Sequence, residues 1–428
     1  MTDIASLSEA DLQVRAEALR AQYDEIRGQG LKLDVTRGKP SAEQLSLSDS
    51  ILTNVGPGDV HGADGTDYRN YGILAGIPEA RELFAEYMGV TPAEVLVGGN
   101  SSLTLMHDAL VGAMMYGVPG GYGPWKDQGH LKFLCPVPGY DRHFGITQKL
   151  GFEMVPVAMS ETGPDMDAIE ELVAEDASVK GIWCVPKYSN PTGIVYSDAT
   201  VDRLAGMSTA ALDFRIMWDN AYAVHHLGRG PAPLKDLLAA CKAAGNPERV
   251  LMFGSTSKIT HAGAGVAVMA ASETNIKDAL AHIGVGSIGP DKINQLRHVR
   301  FFQDLAGLLG HMDNHAGLVA PKFAAVMAAL NDNLAGKGIA EWTEPEGGYF
   351  VSVDLVPGTA SKVVRLANDI GVKFTPAGAT FPLGQDPEDR NVRLAPTLPP
   401  LEEIEAAMQV FCVCVELAAV EKRLGHND

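Results

Sequence analysis

Residues 249–258 read RVLMFGSTSK. A short apolar run, Val250–Phe253, stops at Gly254-Ser255-Thr256-Ser257-Lys258. An apolar run closed by a Gly/Ser turn suits a strand covered on both faces, with a polar loop at its end. Val266–Ala270 repeats the apolar pattern just beyond. Working outward, the same strand-then-polar-loop unit recurs. Ile216–Trp218 runs into Asp219-Asn220-Ala221-Tyr222, Gly181–Val185 leads to Ser189-Asn190-Pro191-Thr192-Gly193, and Glu94–Val97 runs into Gly98-Gly99-Asn100-Ser101-Ser102. Leu131–Cys135 and Phe152–Val157 are further strands, and Leu103–Tyr116 has the apolar content of a buried helix. Short apolar strands alternating with helical segments predict an α/β domain with a mostly parallel sheet flanked by helices.

Both ends of the chain read differently. Asp11–Arg27 is a polar amphipathic helix stopped by Gly28 and Gly30, and a Gly/Pro-rich stretch over residues 56–65 follows. After Pro290, Asp291–Leu334 reads as helical for a long way, with Pro321 marking a kink or a helix start. Three extended segments come next: GGYFVSVDL (347–355), KFTPAGATF (373–381) and NVRLAP (391–396). A last helix spans Leu401–Arg423. This is a second, smaller α+β unit.

Composition excludes several classes. The 428 residues carry 34 Lys and Arg against 53 Asp and Glu, a net charge of −19. Nucleic-acid binders carry basic patches, so this balance argues against that partner. No apolar run reaches the roughly 20 residues needed to cross a bilayer. The amino terminus is acidic and amphipathic, without the basic and apolar regions of a signal peptide. Five scattered cysteines, Cys135, Cys184, Cys241, Cys412 and Cys414, fit neither a disulfide framework nor a zinc site. No metal is expected, and the chain reads as a cytoplasmic protein.

The four polar loops share one topological position. In open α/β sheets, ligands sit beyond the carboxyl ends of the strands. Gly98–Ser102 offers free N–H groups at a helix start plus two hydroxyls, which suits an anion; it also suits an ordinary Ser cap. Asn190 lies in what is, alone, a Pro/Gly turn. Asp219 at a buried strand end needs a partner, either a helix cap or a protonated ring nitrogen. Ser255, Ser257 and Lys258 combine phosphate donors with an amine that can attack a carbonyl. No G-x-x-x-x-G-K-[ST] stretch is present, so the nucleotide P-loop reading fails. Together the loops supply a phosphate cradle, a partner for a phenolic oxygen, an anion for a ring nitrogen and a nucleophilic amine. Pyridoxal 5′-phosphate has this set of needs.

The ordered motifs N-P-x-G, D-x-x-Y and S-x-S-K resemble those of class I aminotransferases of fold-type I, over most of the chain from about Leu33. The resemblance implies a large cofactor-binding domain over residues 51–319. It also implies a smaller domain built from residues 1–50 and 320–428. Lys258 corresponds to the lysine that forms the internal aldimine and shuttles the proton. Asp219 corresponds to the carboxylate at the ring nitrogen, and Asn190 and Tyr222 to the pair at the ring oxygen. Ser101, Ser102, Ser255 and Ser257 match phosphate donors, and Tyr140 the stacking aromatic. Tyr71 matches the tyrosine that reaches the neighbouring subunit's phosphate, which implies a homodimer with shared sites. Gly38 matches the glycine of the substrate mouth, and Arg393 the arginine that grips the α-carboxylate. Asn190 is placed beside the substrate as well.

Two departures stand out. Where the family usually has A-G-x-R, this chain has Ala262-Gly263-Ala264-Gly265, so the phosphate arginine is replaced by Gly265, with His261 a possible substitute. The segment His282–Ser287 has no arginine for a distal substrate carboxylate. Arg37 is the first candidate for that task, then Arg142 and Arg69. The expected reaction is L-aspartate with 2-oxoglutarate in a ping-pong cycle, on small amino-acid and 2-oxo-acid substrates. Alternatives are an aminotransferase for aromatic, aminoadipate or alanine substrates, a β-lyase, or a ligand-sensing module like that of the MocR regulators, whose aminotransferase-like domain the chain also resembles.

Overall fold

The computed structural model describes residues 3–228 and 230–426. Its centre is an eight-stranded sheet. In spatial order the strands are Val95–Val97, Ala267–Ala271, Val250–Ser255, Arg215–Asp219, Val179–Cys184, Lys132–Val137, Glu153–Ser160 and Gly163–Pro164. The five from Val250–Ser255 to Glu153–Ser160 pair in parallel. Ala267–Ala271 runs antiparallel to both neighbours, and Gly163–Pro164 is antiparallel at the far edge. The central strands Val179–Cys184 and Arg215–Asp219 are buried at every position, because helices cover both faces. One apolar layer joins Ile182, Ile216 and Trp218 to helices such as Pro78–Met88; the other joins Phe133, Trp183 and Met217 to Ser102–Tyr116.

A separate core unites the chain ends. Leu12, Leu19 and Tyr23 of helix Glu9–Arg27 pack with Phe323 and Leu330, with Val351 and Val353, and with Phe411 and Leu417 of helix Leu401–Arg423. Buried carboxylates fix the two terminal helices together: Glu416 pairs with Arg15 and Lys337, each at 2.6 Å, and Glu421 with Arg20 at 2.6 Å. Around this core lie the antiparallel strands Ala340–Trp342, Val351–Leu355 and Asn391–Leu394. Leu33–Asp34 pairs in parallel with Val372–Lys373, stitching the amino-terminal segment to the carboxy-terminal one.

Two expectations need correction. Asp291–Leu334 is helical over most of its length, but it breaks at Gln303 and not at Pro321. Gln303 takes a φ of 67°, ending Lys292–Phe302, and Asp304 caps a new helix, Leu305–Leu334, through its bond from Gly307 N. Pro321 lies inside that second helix. Of the stretch 373–381 only Lys373 lies in a strand; Pro376 cannot donate and Gly378 turns at φ 80°. Among the described residues no helix is long and apolar enough to cross a membrane, and no cluster of His, Cys, Asp or Glu suits a metal.

Candidate active site

The carboxyl ends of the strands converge on a cavity of about 110 Å³. Ser101, Ser102, Tyr140, Asn190, Asp219, Tyr222, Ser255, Ser257 and Lys258 all line it. Residues more than 150 positions apart in sequence thus meet because each stands at the end of its own strand.

Asp219 is the last residue of its strand and is 2% exposed. Its Oδ2 lies 3.0 Å from His143 Nε2, while Oδ1 is buried with no hydrogen-bond partner among the described residues. A buried carboxylate oxygen is costly to leave unpaired. An N–H donor entering the cavity relieves that cost, as a protonated ring nitrogen does. His143 is itself fixed: its ring stacks on Trp183 at 4.2 Å with planes 6° apart. Thr147, one turn later, donates to His143 O and accepts from Trp183 Nε1.

Lys258 Nζ lies 4.9 Å from the centre of the Tyr222 ring. Burial lowers its pKa, and the Asp219 charge opposes part of that shift. The neutral, nucleophilic amine is therefore easier to reach than on an exposed lysine. Its main-chain oxygen is held by Tyr349 Oη and His225 Nε2, each at 3.3 Å. Burial raises the Tyr222 hydroxyl well above its ordinary pKa, so it stays a donor.

The anion end is built from hydroxyls and a helix start. Ser101 stands at the N-cap of Ser102–Tyr116, yet its side chain makes no capping bond, so the simple cap reading fails. Ser255 Oγ lies 3.1 Å from Ser257 Oγ, which donates to Asn100 O. Asn100 Nδ2 in turn donates to Gly263 O. The two loops thereby form one wall. The N–H groups of the helix start, the serine hydroxyls at 101, 102, 255 and 257, an orphaned carboxylate oxygen and a buried amine fit the chemistry of pyridoxal 5′-phosphate.

Arg393 lies in strand Asn391–Leu394 and donates from Nη1 to Asn190 Oδ1 at 3.1 Å. Its guanidinium sits 4.7 Å over the Phe350 ring. Gly38 faces that ring from another side: a Cβ on Gly38 would fall 2.3 Å from Phe350 Cζ. Arg393, Phe350 and Gly38 therefore form one packed stack beside Asn190. Tyr71 is 81% exposed and stands away from the cavity of its own chain. Arg37 and Arg142 are exposed, and Arg69 is paired with Asp67 at 2.6 Å. His261 lies 3.4 Å from Asp49. A larger cavity, about 400 Å³, sits between helices Ser102–Tyr116 and Glu273–Gly286 at the opposite end of the Arg215–Asp219 strand. It contains none of the expected site residues.

Residues 7–427 match the family model described as aspartate amino-transferase. The chain belongs to the aspartate aminotransferase family. An aspartate aminotransferase of Corynebacterium glutamicum is 50% identical over 95% of this chain and 94% of its own. The crystal structure of an aspartate transaminase from that organism superposes with a TM-score of 0.97 at 48% identity, covering 98% and 99% of the two chains. An α-aminoadipate aminotransferase of Thermus thermophilus, solved with N-(5′-phosphopyridoxyl)-L-leucine, shares the fold at a TM-score of 0.69 and 23% identity over 92% of each chain. The fold is that of fold-type I aminotransferases.

His143 touches Asp219, Trp183 stacks on His143, and Phe350 lies under Arg393; motif reading passed over all three. His143 follows Tyr140 by three positions on one helix face, which is the one available hint. Phe350 and Trp183 look like ordinary core residues in the sequence.

Proposed function

We propose that the chain transfers the amino group of L-aspartate to 2-oxoglutarate with pyridoxal 5′-phosphate, by a ping-pong cycle. The reading is carried by the convergence of Lys258, the orphaned Asp219 oxygen, Tyr222 and the hydroxyl cradle on one cavity. When bound, the cofactor supplies a conjugated ring that takes up the electron pair left at the substrate α-carbon. Asp219 Oδ1 holds the proton on the ring nitrogen, and His143 holds Asp219 in place. Asn190 and Tyr222 bond the ring oxygen, and Tyr140 covers the ring. Ser101, Ser102, Ser255 and Ser257 bind the phosphate. Lys258 carries the cofactor and then moves the proton at the α-carbon. Arg393 grips the α-carboxylate with its planar fork, supported by Phe350 and Asn190.

The assembly we infer is a cytoplasmic homodimer. Tyr71, Val285 and Ile288 are exposed apolar side chains, at 81%, 90% and 64%. Gly289 packs against Gly72, which brings their segments together. A second copy covering them is the partner whose phosphate Tyr71 is proposed to reach. The division into residues 51–319 and a smaller domain of 1–50 with 320–428 follows the separate core at the chain ends.

Preference for a dicarboxylate needs a second cation, because a buried unpaired carboxylate is expensive. Arg37, next to Gly38 at the mouth, is the proposed residue. A panel of amino donors against 2-oxoglutarate tests the reading. Aspartate should be the best donor, and Arg37→Ala should raise KM for aspartate far more than for alanine, by about 2–5 kcal/mol in binding. An aromatic, aminoadipate or alanine donor in first place, or pyruvate release without transfer, overturns it.

A further inference from the structure

A phosphate dianion in this cradle needs a full positive charge nearby, because hydroxyls and a helix start supply only partial ones. Position 265 cannot supply it. A Cβ there would fall 2.9 Å from Thr256 Oγ1 and 3.3 Å from Ser257 N. Thr256 Oγ1 is already committed, accepting from Val266 N at 2.9 Å and bonded to Thr260 Oγ1 at 3.1 Å. The loop has closed over the space from which an arginine would emerge.

Helix Lys292–Phe302 docks on both halves of the cradle. Asn294 Nδ2 donates to Gly265 O at 2.9 Å and Ala264 O at 3.0 Å. Gln295 Nε2 donates to Val97 O at 3.1 Å, at the foot of the Gly98–Ser102 loop, and Gln295 Oε1 accepts from Ile77 N at 2.9 Å. At the first position of this helix stands Lys292, on the Gln295 face and 6% exposed. Among the described residues it has neither a carboxylate within ion-pair distance nor a hydrogen bond from its amine. Its Nζ lies 3.6 Å from where a Cβ on Gly289 would stand, under the Tyr71–Gly72 segment. A buried ammonium without a counter-ion is costly, as is a buried phosphate without a cation.

Two other cations nearby are committed elsewhere. His261 faces Asp49, and Arg393 is bonded to Asn190 on the substrate side. Arg297, whose Nε is also buried without a hydrogen-bond partner among the described residues, lies more than a turn further along the helix from Lys292, beside His298, whose ring bonds Thr260 rather than the cradle. We propose that Lys292 is the cation that binds the cofactor phosphate, in place of the arginine lost at position 265. The proposal rests on the cofactor assignment above.

The test is titration of the cofactor-free protein with pyridoxal 5′-phosphate and, separately, with pyridoxal, followed by the absorbance of the lysine-bound cofactor. Lys292→Met should weaken pyridoxal 5′-phosphate roughly 10- to 100-fold, the range for a charge-assisted bond, and leave pyridoxal unchanged. Lys292→Arg should restore most of the affinity. In phosphorus NMR the bound phosphate should stay dianionic in the wild type and titrate near about pH 6 in Lys292→Met. Equal weakening of both ligands by Lys292→Met overturns the proposal, as does an unchanged affinity. A phosphate-selective loss in Arg297→Met but not in Lys292→Met also overturns it. If the wild type itself forms no lysine-bound cofactor, the cofactor assignment fails instead.

Discussion

Replacing Gly38 by alanine tests the substrate stack with one methyl group. The new Cβ would stand 2.3 Å from Phe350 Cζ and 2.4 Å from Cε1. Carbon atoms settle at about 3.5–4.0 Å, so the ring or the Gly38 backbone must retreat by more than about 1 Å. The ring has little room, because Arg393 lies 4.7 Å over it and the Tyr222 ring meets its edge at 6.2 Å. Overpacking of this kind costs about 1–3 kcal/mol in stability. Displacing a positioning group by about 1 Å costs up to roughly 100-fold in rate. Steady-state kinetics of Gly38→Ala should therefore show kcat/KM for the amino donor lowered by about 10- to 100-fold. Phe350→Leu in the same background should recover part of the loss by making room. A Gly38→Ala protein with unchanged kcat/KM refutes the stack, and so does a loss that Phe350→Leu fails to relieve.

Asp219→Ala removes the acceptor for the ring-nitrogen proton; turnover should fall at least about 100-fold while cofactor still binds at high concentration, and unchanged turnover measured under saturating cofactor counts against the role. Stability should depend on buried histidines. Burial lowers His225 to about 3, with Lys258 adding to the effect, and lowers His298 and His315 to about 4 each. Their unfolded value is about 6.5, so between these limits the unfolded chain binds more protons than the folded one. Stability should rise with pH through that window and level off above it. Urea midpoints at stepped pH check this, His315→Gln should flatten the slope, and midpoints that fall as pH rises from about 5 to 7 contradict it.

The repeated unit of apolar strand and polar loop made the sheet and its ligand edge legible. Lys258, Asp219, Asn190 and Tyr222 are readable because each lies in the polar stretch that follows an apolar run, and chain order then points to the cofactor. Strand direction was not readable: Val266–Ala270 has the same apolar character whether it runs with or against Val250–Phe253. The break at Gln303 was hidden because a glutamine at positive φ leaves no compositional mark. His143 and Phe350 touch partners far away in sequence, Asp219 and Arg393, so only the folded chain brings them to the site. Gly265 marks a missing charge in the sequence, but the docking of Asn294 and Gln295 is what directs attention to Lys292.

The central claim is that Lys258 carries the cofactor and moves the α-proton during amino transfer from aspartate. The most direct measurement mixes cofactor-loaded protein with α-deuterated L-aspartate in a stopped-flow spectrometer, without any 2-oxo acid, and collects the oxaloacetate formed. The wild type should release close to one equivalent of oxaloacetate per site, with loss of the lysine-bound cofactor absorbance and a slower rate for the deuterated donor. Lys258→Ala, reconstituted with the same cofactor, should release none on that time scale. Release of a full equivalent by Lys258→Ala at the wild-type rate would contradict the account.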